Sequence, residues 1–157
     1  MLQAAGTAYA LLQQSNNTAL GVPMSETFAI QSTHSDRMLV FSGVEGDYFR
    51  VELTGGVNAS IRVYGYAPHT HDLAHWFSEL GKNSKPWEGD LSWESLEGEF
   101  KITAKYASFG QIHIMVSLSD LPGAYEEAYI RAGIETELGQ LTIISNEARN
   151  FFAKSNT

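Results

Sequence analysis

The sequence predicts an α+β protein with a mainly antiparallel sheet of about six to seven strands and two helices packed on one face. Apolar and polar residues alternate along most of the chain between residues 27 and 135, which is typical of half-buried strands. Helical spacing of apolar residues occurs in two places, after residue 70 and near the end of the chain. Short turns join most of the predicted strands, and this favours antiparallel pairing.

Four strands are predicted before the first helix. "TFAIQS" (27–32) and "RMLVFSGV" (37–44) predict two short strands, and "DYFRVELTGGVNASIRVYGY" (47–66) predicts a hairpin. Gly55-Gly56 is its expected two-residue turn, because glycine readily adopts the positive φ that such turns require. Alternate residues from Phe49 to Val63 form its predicted inner face.

The first predicted helix lies in "THDLAHWFSELGK" (70–82). Its apolar residues fall at i, i+3, i+4 and i+7 on one face: Leu73, Trp76, Phe77 and Leu80. Thr70 is the expected N-cap, and Gly81 is the expected stop. The following "KNSKPWEGDLSW" is predicted to be a loop.

Three more strands and a helix complete the prediction. The strands lie in "SLEGEFKITAKY", "QIHIMVSLS" and "YEEAYIRAGIE", and the helix in "ELGQLTIISNEARNFF". The helix has an apolar face formed by Leu138, Leu141, Ile144, Ala148 and Phe152. If both helices cover one face of the sheet, its polar face is open to water.

Composition predicts one domain at residues 24–157, preceded by an uncharged tail or weak helix at residues 1–23. The chain has no cysteine, which excludes disulfides, thiolate zinc sites and a cysteine nucleophile, and fits a reducing cytoplasm. The net charge of −8 disfavours nucleic-acid binding and favours a basic partner. No apolar run is long enough to predict a membrane span.

The stretch "WEGDLSWESLEGEF", from Trp87 to Phe100, is the most acidic in the chain. Two tryptophans and five carboxylates lie in it: Trp87, Trp93, Glu88, Asp90, Glu94, Glu97 and Glu99. We expect an exposed docking surface, because tryptophan is common at interface hot spots. A catalytic pair is the alternative, since Glu97 and Glu99 would lie about 7 Å apart if they shared one face of a strand.

The polar face of the predicted sheet is a second candidate surface. It collects Tyr48, Arg50, Arg62, Tyr64, Glu97, Glu99, His113, Met115, Tyr129 and Arg131. Tyr, Arg and Met are enriched at protein interfaces, which favours recognition of a partner. The alternative is a solvated face held by cross-strand ion pairs.

Histidines cluster in "PHTHDLAH" as His69, His71 and His75 around Asp72. The spacing after Asp72 differs from that of the H-x-H-x-D-H metal motif. His71 and His75 could chelate a metal at the surface, but neither a functional metal nor another cofactor is predicted.

Several segments resemble a family of bacterial proteins of similar length that is known only as a domain of unknown function. The resemblance covers about residues 27–153, and "WESLEGEF" with "GQIHIMVSL" is its most specific part. More remotely, the order of an S-x-E-G strand, a G-x-I strand and a terminal helix is similar to WapI-type immunity proteins. That resemblance implies neutralisation of a secreted nuclease toxin.

Together these observations predict a cytoplasmic, non-enzymatic module that binds a protein partner, for which a basic toxin domain is the candidate. Its expected binding residues are Trp87, Glu88, Asp90, Trp93, Glu94, Glu97, Glu99, Arg62, Tyr64, His113, Tyr129 and Arg131. One alternative is a small-ligand-binding protein or hydrolase that uses Glu97, Glu99 and His113. Another is a structural or oligomeric subunit joined through an exposed edge strand.

Overall fold

The computed structural model describes residues 26–65 and 67–153, with only the backbone described for residues 67–71. The predicted tail at residues 1–23 lies outside this part. Its elements are β1 (Thr27–Gln31), β2 (Met38–Glu45), β3 (Tyr48–Thr54), β4 (Ala59–Tyr64), α1 (Ala67–Gly81), β5 (Asp90–Glu94), β6 (Phe100–Tyr106), β7 (Gln111–Asp120), β8 (Ala128–Glu137), a 3-10 turn (Leu138–Gln140) and α2 (Leu141–Phe152).

The strands form two sheets, so the prediction of one sheet of six to seven strands is wrong. Sheet A has the order β1-β2-β3-β4 and sheet B the order β5-β6-β7-β8, with every neighbouring pair antiparallel. The α1 helix and the loop after it separate β4 from β5 along the chain, and these two strands become edges of different sheets. The α+β class and the antiparallel pairing are confirmed.

The helices also differ from the prediction that both cover one face of one sheet. The inner faces of sheets A and B and the apolar faces of both helices contribute to one buried cluster. α1 contacts β5 of sheet B, and α2 contacts β1 of sheet A. Each helix therefore packs against a strand of the sheet formed by the other half of the chain.

The two halves of the described chain follow the same plan. Residues 27–81 form four antiparallel strands and then a helix, and residues 90–152 repeat that order. The two helices pack against each other, and at Gly81 an added β-carbon would lie 2.3 Å from Cβ of Ser145. The sequence carries no evident repeat, so the likeness between the halves is one of architecture.

The sequence predicts a loop where β5 lies. It also predicts that the next strand begins earlier than it does in the structure. A turn at residues 95–99 follows β5, and β6 begins at Phe100, so Glu97 and Glu99 lie outside the strand. The backbone N–H of Ser95 donates to the carbonyl of Phe100 at 2.8 Å, and Phe100 N–H donates to Ser95 Oγ at 3.0 Å. These two bonds close the turn.

The β3–β4 connection is longer than the predicted two-residue turn, since Leu53 pairs with Ala59. Gly55 and Gly56 do have positive φ, at 93° and 79°. A β-carbon on Gly55 would lie 2.6 Å from Cα of Arg37, so glycine allows the β1–β2 loop to approach this turn. Val57, at the tip, is 46% exposed and does not belong to the inner face.

Both predicted helical faces are buried. α1 begins at Ala67, three residues before the predicted cap Thr70, and ends at Gly81 as predicted. Its four predicted apolar residues are all buried. The second predicted helix starts as a 3-10 turn, and α2 buries four of its five predicted residues, with Leu138 partly buried.

The ring of Phe41 lies at the centre of the shared core. Its centroid is 5.8 Å from that of Phe77 on α1, 5.8 Å from that of Phe100 on β6 and 6.1 Å from that of Phe152 on α2. All three contacts are edge-to-face, a favourable aromatic geometry. One β2 side chain therefore contacts both helices and the opposite sheet.

Polar contacts also join the two sheets. Thr33 N–H donates to the carbonyl of Glu135 at 2.9 Å, and Arg37 Nη1 donates to the carbonyl of Gly133 at 3.0 Å. At another point, Tyr64 N–H donates to Oε1 of Glu99 at 2.9 Å.

Within the residues that the structure describes, neither helix has the length and apolar character needed to cross a membrane.

Candidate functional site

The structure divides the predicted binding residues among separate surfaces. Arg62 and Tyr64 lie on sheet A, while His113 and Arg131 lie on the outer face of sheet B and Tyr129 lies on the neighbouring part of β8. The acidic stretch forms β5, the loop before it and the turn after it. The single open face that was predicted does not exist, because its residues belong to two sheets.

On sheet A, the polar side chains contact one another. Tyr48 and Tyr64 are register partners with ring centroids 5.1 Å apart, and Arg62 Cζ lies 3.9 Å from the centroid of Tyr48. Arg50 Nη1 donates to Ser60 Oγ at 2.9 Å. These cation–π and hydrogen-bond contacts pair the polar side chains of this patch with one another.

The three residues of the hydrolase alternative lie apart. Glu97 is exposed in the β5–β6 turn, whereas Glu99 is buried and accepts the Tyr64 N–H. His113 lies on the outer face of sheet B with Nε2 3.2 Å from Glu135 Oε1. Phe100, next to Glu99, pairs with Leu118 of β7 and not with His113. About 17 Å of strand therefore separates His113 from the end of sheet B at which Glu99 lies. These side chains do not share a reaction centre.

Neither tryptophan of the acidic stretch is an exposed anchor. Trp93 is 9% exposed, and its ring centroid lies 6.0 Å from that of Phe100 in the core. Trp87 is partly buried, with its ring edge-to-face with Tyr106 at 6.0 Å. The carboxylates around them do stay at the surface, since Glu88, Asp90, Glu94 and Glu97 are exposed.

A groove of about 490 Å³ lies between α1 and β5. We call it the α1–β5 groove, and its lining residues are Asp72, His75, Trp76, Glu79, Asp90, Leu91, Ser92 and Trp93. The two indoles are the buried members of this set, and Asp72 and Asp90 are exposed members. The groove therefore combines an aromatic floor with carboxylates at its rim.

Only part of this groove could be found from the sequence. Asp90 and Trp93 were predicted, whereas Asp72 and Glu79 were missed. The available signal was helical spacing, since Asp72, His75 and Glu79 fall at i, i+3 and i+7 and share a side of α1. The spacing could not indicate that β5 lies beside α1 and brings Asp90 to the same groove.

The pKa of the Glu79 carboxyl group is shifted by the groups around it. Lys82 donates a hydrogen bond to its carboxylate, and this bond is the main reason why the pKa of Glu79 lies below its ordinary value. Partial desolvation opposes the effect, while the charges of Lys82 and His75 add to it. The His75 Nε2 lies 3.8 Å from Glu79 Oε1. Glu79 therefore stays negative to a lower pH than an isolated glutamate.

A family model described as a family of unknown function, DUF6228, matches residues 30–155 of this chain. The chain belongs to the DUF6228 family. The predicted resemblance to a domain of unknown function is thereby confirmed, and the match assigns no activity. No curated protein matches the sequence.

Among the residues that the structure describes in this DUF6228 chain, two aromatic side chains are fully exposed, and neither belongs to a predicted site. Phe109 lies at the tip of the β6–β7 turn with φ of 51°, and Tyr125 lies in the β7–β8 loop. Gln111 N–H donates to the carbonyl of Ser108 at 2.9 Å, which closes the turn around Phe109 and Gly110. Positive φ at both central residues is typical of a type I′ turn.

A second cavity, of about 370 Å³, lies where the β1–β2 loop meets β7 and β8. There Glu135 lies between two imidazoles, with His34 Nδ1 3.6 Å from Oε2 and His113 Nε2 3.2 Å from Oε1. Across the side chains that the structure describes, no three His, Cys, Asp or Glu residues are placed to hold a metal ion. The side chains of His69 and His71 lie outside that set.

Proposed function

We propose that this DUF6228 chain is a non-enzymatic protein-binding module that holds a basic segment of its partner in the α1–β5 groove. The observation that carries the proposal is the meeting of Asp72, Glu79 and Asp90 around a groove with two indoles. A lysine or arginine side chain would lay its aliphatic stem against the indoles and its charge beside the carboxylates. Such charge-assisted contacts are stronger than neutral hydrogen bonds.

The partner that we propose is a basic bacterial toxin domain, bound in the bacterial cytoplasm as an immunity protein binds its toxin. Two features support this choice. The net charge of −8 would accelerate encounter with a basic protein. More remotely, the order of an S-x-E-G segment, a G-x-I strand and a terminal helix is similar to that of WapI-type immunity proteins. The proposal includes no catalytic step and no nucleic-acid contact by this chain.

The experiment that tests this proposal uses the purified chain and any basic toxin domain encoded beside its gene. Calorimetry measures the dissociation constant, and an activity assay measures inhibition of the toxin. The test variant is Asp72→Asn with Asp90→Asn, and the control is Glu94→Gln with Glu97→Gln, which removes the same charge from the turn region. We expect about a tenfold or larger loss of affinity for the first and less than about threefold for the second.

Two results would contradict this proposal. If both double variants lose affinity equally, overall charge rather than the α1–β5 groove controls binding. If the native chain neither binds nor inhibits the neighbouring toxin, the immunity role is wrong. Sedimentation of the same samples separates partner binding from self-association, which is what the subunit alternative requires.

Acid should weaken the proposed complex. Glu79 keeps its charge to lower pH, since its pKa is lowered. We therefore expect the contribution of Glu79 to affinity to persist below the pH at which an ordinary glutamate is protonated. A pH series of the dissociation constant for the native chain and for Glu79→Gln checks this.

A further inference from the structure

The edge strands of the two sheets differ in how far other elements cover them. β1 contacts α2, β5 contacts α1, and β4 contacts β7, so each of these strands meets an element outside its own sheet. Of the helices and strands that the structure describes, only β7 makes a contact of this extent with β8. The outer edge of β8 is therefore the least covered of the sheet edges in the described chain.

The direction of the β8 backbone groups follows from its pairing with β7. In an antiparallel strand, successive residues direct their N–H and C=O alternately toward the neighbouring strand and away from it. The carbonyl of Glu135 accepts the N–H of Thr33 from the β1–β2 loop, so Glu135 faces away from β7. The same alternation directs the N–H and C=O of Tyr129 and Arg131 away from β7.

The β1–β2 loop covers only one end of this edge. Its hydrogen bonds to β8 end at Gly133, whose carbonyl accepts Arg37 Nη1 at 3.0 Å. Among the residues that the structure describes, no group is hydrogen-bonded to the backbone N–H or C=O of Tyr129 or Arg131. We call residues 128–132 the β8 edge segment, and its outward backbone groups are open to another strand.

The sequence of the β8 edge segment offers little protection against pairing. Its residues, AYIRA, include no proline and no lysine, and the register with β7 has no bulge. Those features commonly prevent an edge strand from pairing with another chain. Tyr129 is 59% exposed, and Arg131 has no ion-pair or cation–π partner among the described residues. Both outward side chains are therefore available as well.

We propose that two copies of this chain pair through their β8 edge segments in antiparallel orientation, so that their B sheets form one continuous sheet. The two-fold axis passes between the two copies of Ile130. Tyr129 of each copy lies opposite Arg131 of the other, and each of these residues donates one backbone hydrogen bond and accepts one. The surface is the same on both copies, as a two-fold dimer requires.

The side chains that meet in this register suit one another. Tyr129 and Arg131 of the second copy share the outer face, where a guanidinium over a phenol ring is favourable. Ile130 meets its own copy on the inner face, in a pair whose Cα atoms lie about 4.5 Å apart. Ile130 already packs against the core, so this contact extends the apolar cluster across the axis.

The two neighbouring registers are less favourable. Pairing centred on Arg131 would place two guanidinium groups opposite each other, and like charges destabilise a cross-strand pair. Pairing centred on Tyr129 would require Glu127 to continue the strand. The Glu127 N–H is already bonded within the β7–β8 loop, and its carboxylate accepts the Ser119 hydroxyl at 2.7 Å. The register centred on Ile130 has neither defect.

The proposed dimer should be weak and should strengthen with salt. The β8 edge segment is about 17 Å long, so the paired surface is smaller than the roughly 1,200 Å² that stable complexes bury. Each copy has a net charge of −8, and salt screens the resulting repulsion. We expect a dissociation constant of about 10–100 μM near physiological salt and tighter association at about 0.5 M. β5 is the opposite edge of sheet B, so the α1–β5 groove stays open.

Sedimentation equilibrium of the purified chain, up to about 1 mM, tests the dimer with three matched variants. Tyr129→Arg places like charges opposite each other and should weaken association at least about tenfold. Tyr129→Glu places a carboxylate opposite Arg131 and should keep association within about threefold. Phe109→Arg makes the same charge change at an exposed turn and should have no effect. Overall charge predicts the opposite order, because Tyr129→Arg makes the chain less acidic and Tyr129→Glu makes it more acidic.

Cross-linking tests the register independently. The chain has no cysteine, so a single introduced cysteine gives an unambiguous product. Across the proposed axis the Cα atoms of residue 130 are within disulfide range. Mild oxidation should therefore convert Ile130→Cys to a covalent dimer, whereas Ile143→Cys, at an exposed position on α2, should remain monomeric. Thermal unfolding of the reduced variants checks that each is folded.

Three outcomes would overturn the proposal. A chain that stays monomeric up to about 1 mM at both salt concentrations would exclude the dimer. Equal association of Tyr129→Arg and Phe109→Arg would show that any dimer forms through another surface or by exchange of elements. Equal cross-linking of the two cysteine variants would exclude the register. None of these results depends on the proposed toxin, since no toxin is present and the variants leave the α1–β5 groove unchanged.

Discussion

At the scale of single residues, Glu97 and Glu99 have opposite environments although they are only two positions apart. Gly98, with φ of 78°, lies between them in a turn, so the alternation of a strand does not apply to this pair. Glu99 then enters the space between the sheets and binds the Tyr64 N–H, while Glu97 stays in water. Sequence alternation alone could not predict this, because it placed both carboxylates on the same solvated face.

Removal of the Glu99 carboxylate should destabilise the protein. Glu99→Ala deprives the Tyr64 N–H of this acceptor and leaves unfilled space between the sheets, at a cost of about 1–3 kcal/mol. Glu97→Ala is the matched control and should change the free energy of unfolding by less than about 0.5 kcal/mol. Urea denaturation measures both. Equal effects would mean that the contact between sheets contributes no stability.

The Phe109 turn should become more stable when its aromatic residue is replaced by asparagine. A non-glycine residue with positive φ is strained, and Asn-Gly is the preferred pair in a type I′ turn. Phe109 is fully exposed, so its removal loses no buried area. We expect Phe109→Asn to add about 1 kcal/mol to the free energy of unfolding. Phe109→Ala keeps the strain, and a gain as large from alanine would contradict this reason.

At the scale of elements, apolar periodicity located both helices and seven of the eight strands. It failed for β5, where "DLSWE" buries only Trp93 fully and follows a loop rich in Gly, Pro and Ser. An edge strand of five residues gives too few alternations to be separated from a loop. The strand boundaries differ from the predicted ones where backbone hydrogen bonds, rather than the side-chain pattern, determine them, as at Ser95.

The close crossing of α1 and α2 gives a prediction at this scale. Gly81→Ala would place a β-carbon 2.3 Å from Cβ of Ser145, so repacking should cost about 1–3 kcal/mol, despite the higher helix propensity of alanine. In the double variant Gly81→Ala with Ser145→Gly, the opposing β-carbon is absent. We expect it to be more stable than the sum of the single changes predicts, as measured by a double-mutant cycle. Strict additivity would exclude the clash.

At the scale of the whole molecule, the division into two sheets could not be predicted from local patterns. Alternation indicates which face of a strand is apolar, but it does not indicate whether β4 and β5 pair across an intervening helix. For the same reason the α1–β5 groove could not be predicted, since it depends on which helix and strand become neighbours. On the predicted inner face of the β3–β4 hairpin, Phe49, Val51, Leu53 and Val63 are buried as expected, whereas Val57 is exposed.

Because one core serves both sheets, the described domain should unfold in one step. Circular dichroism and tryptophan fluorescence should give coincident urea transitions, since Trp76 and Trp93 lie in the cluster that joins the sheets and helices. Phe41→Ala should lower the free energy of unfolding by about 3–5 kcal/mol and shift both signals together. Two separated transitions would mean that the sheets are independent units.

The reciprocal packing of the two halves has a consequence for assembly. The helix of each half packs against the first strand of the other half. Residues 82–89 are the covalent connection between the two halves. If that connection extends, the same contacts are available from a second molecule, and a domain-swapped dimer would form without any new surface. The same logic makes this segment the natural place to cut the protein into two fragments that recombine.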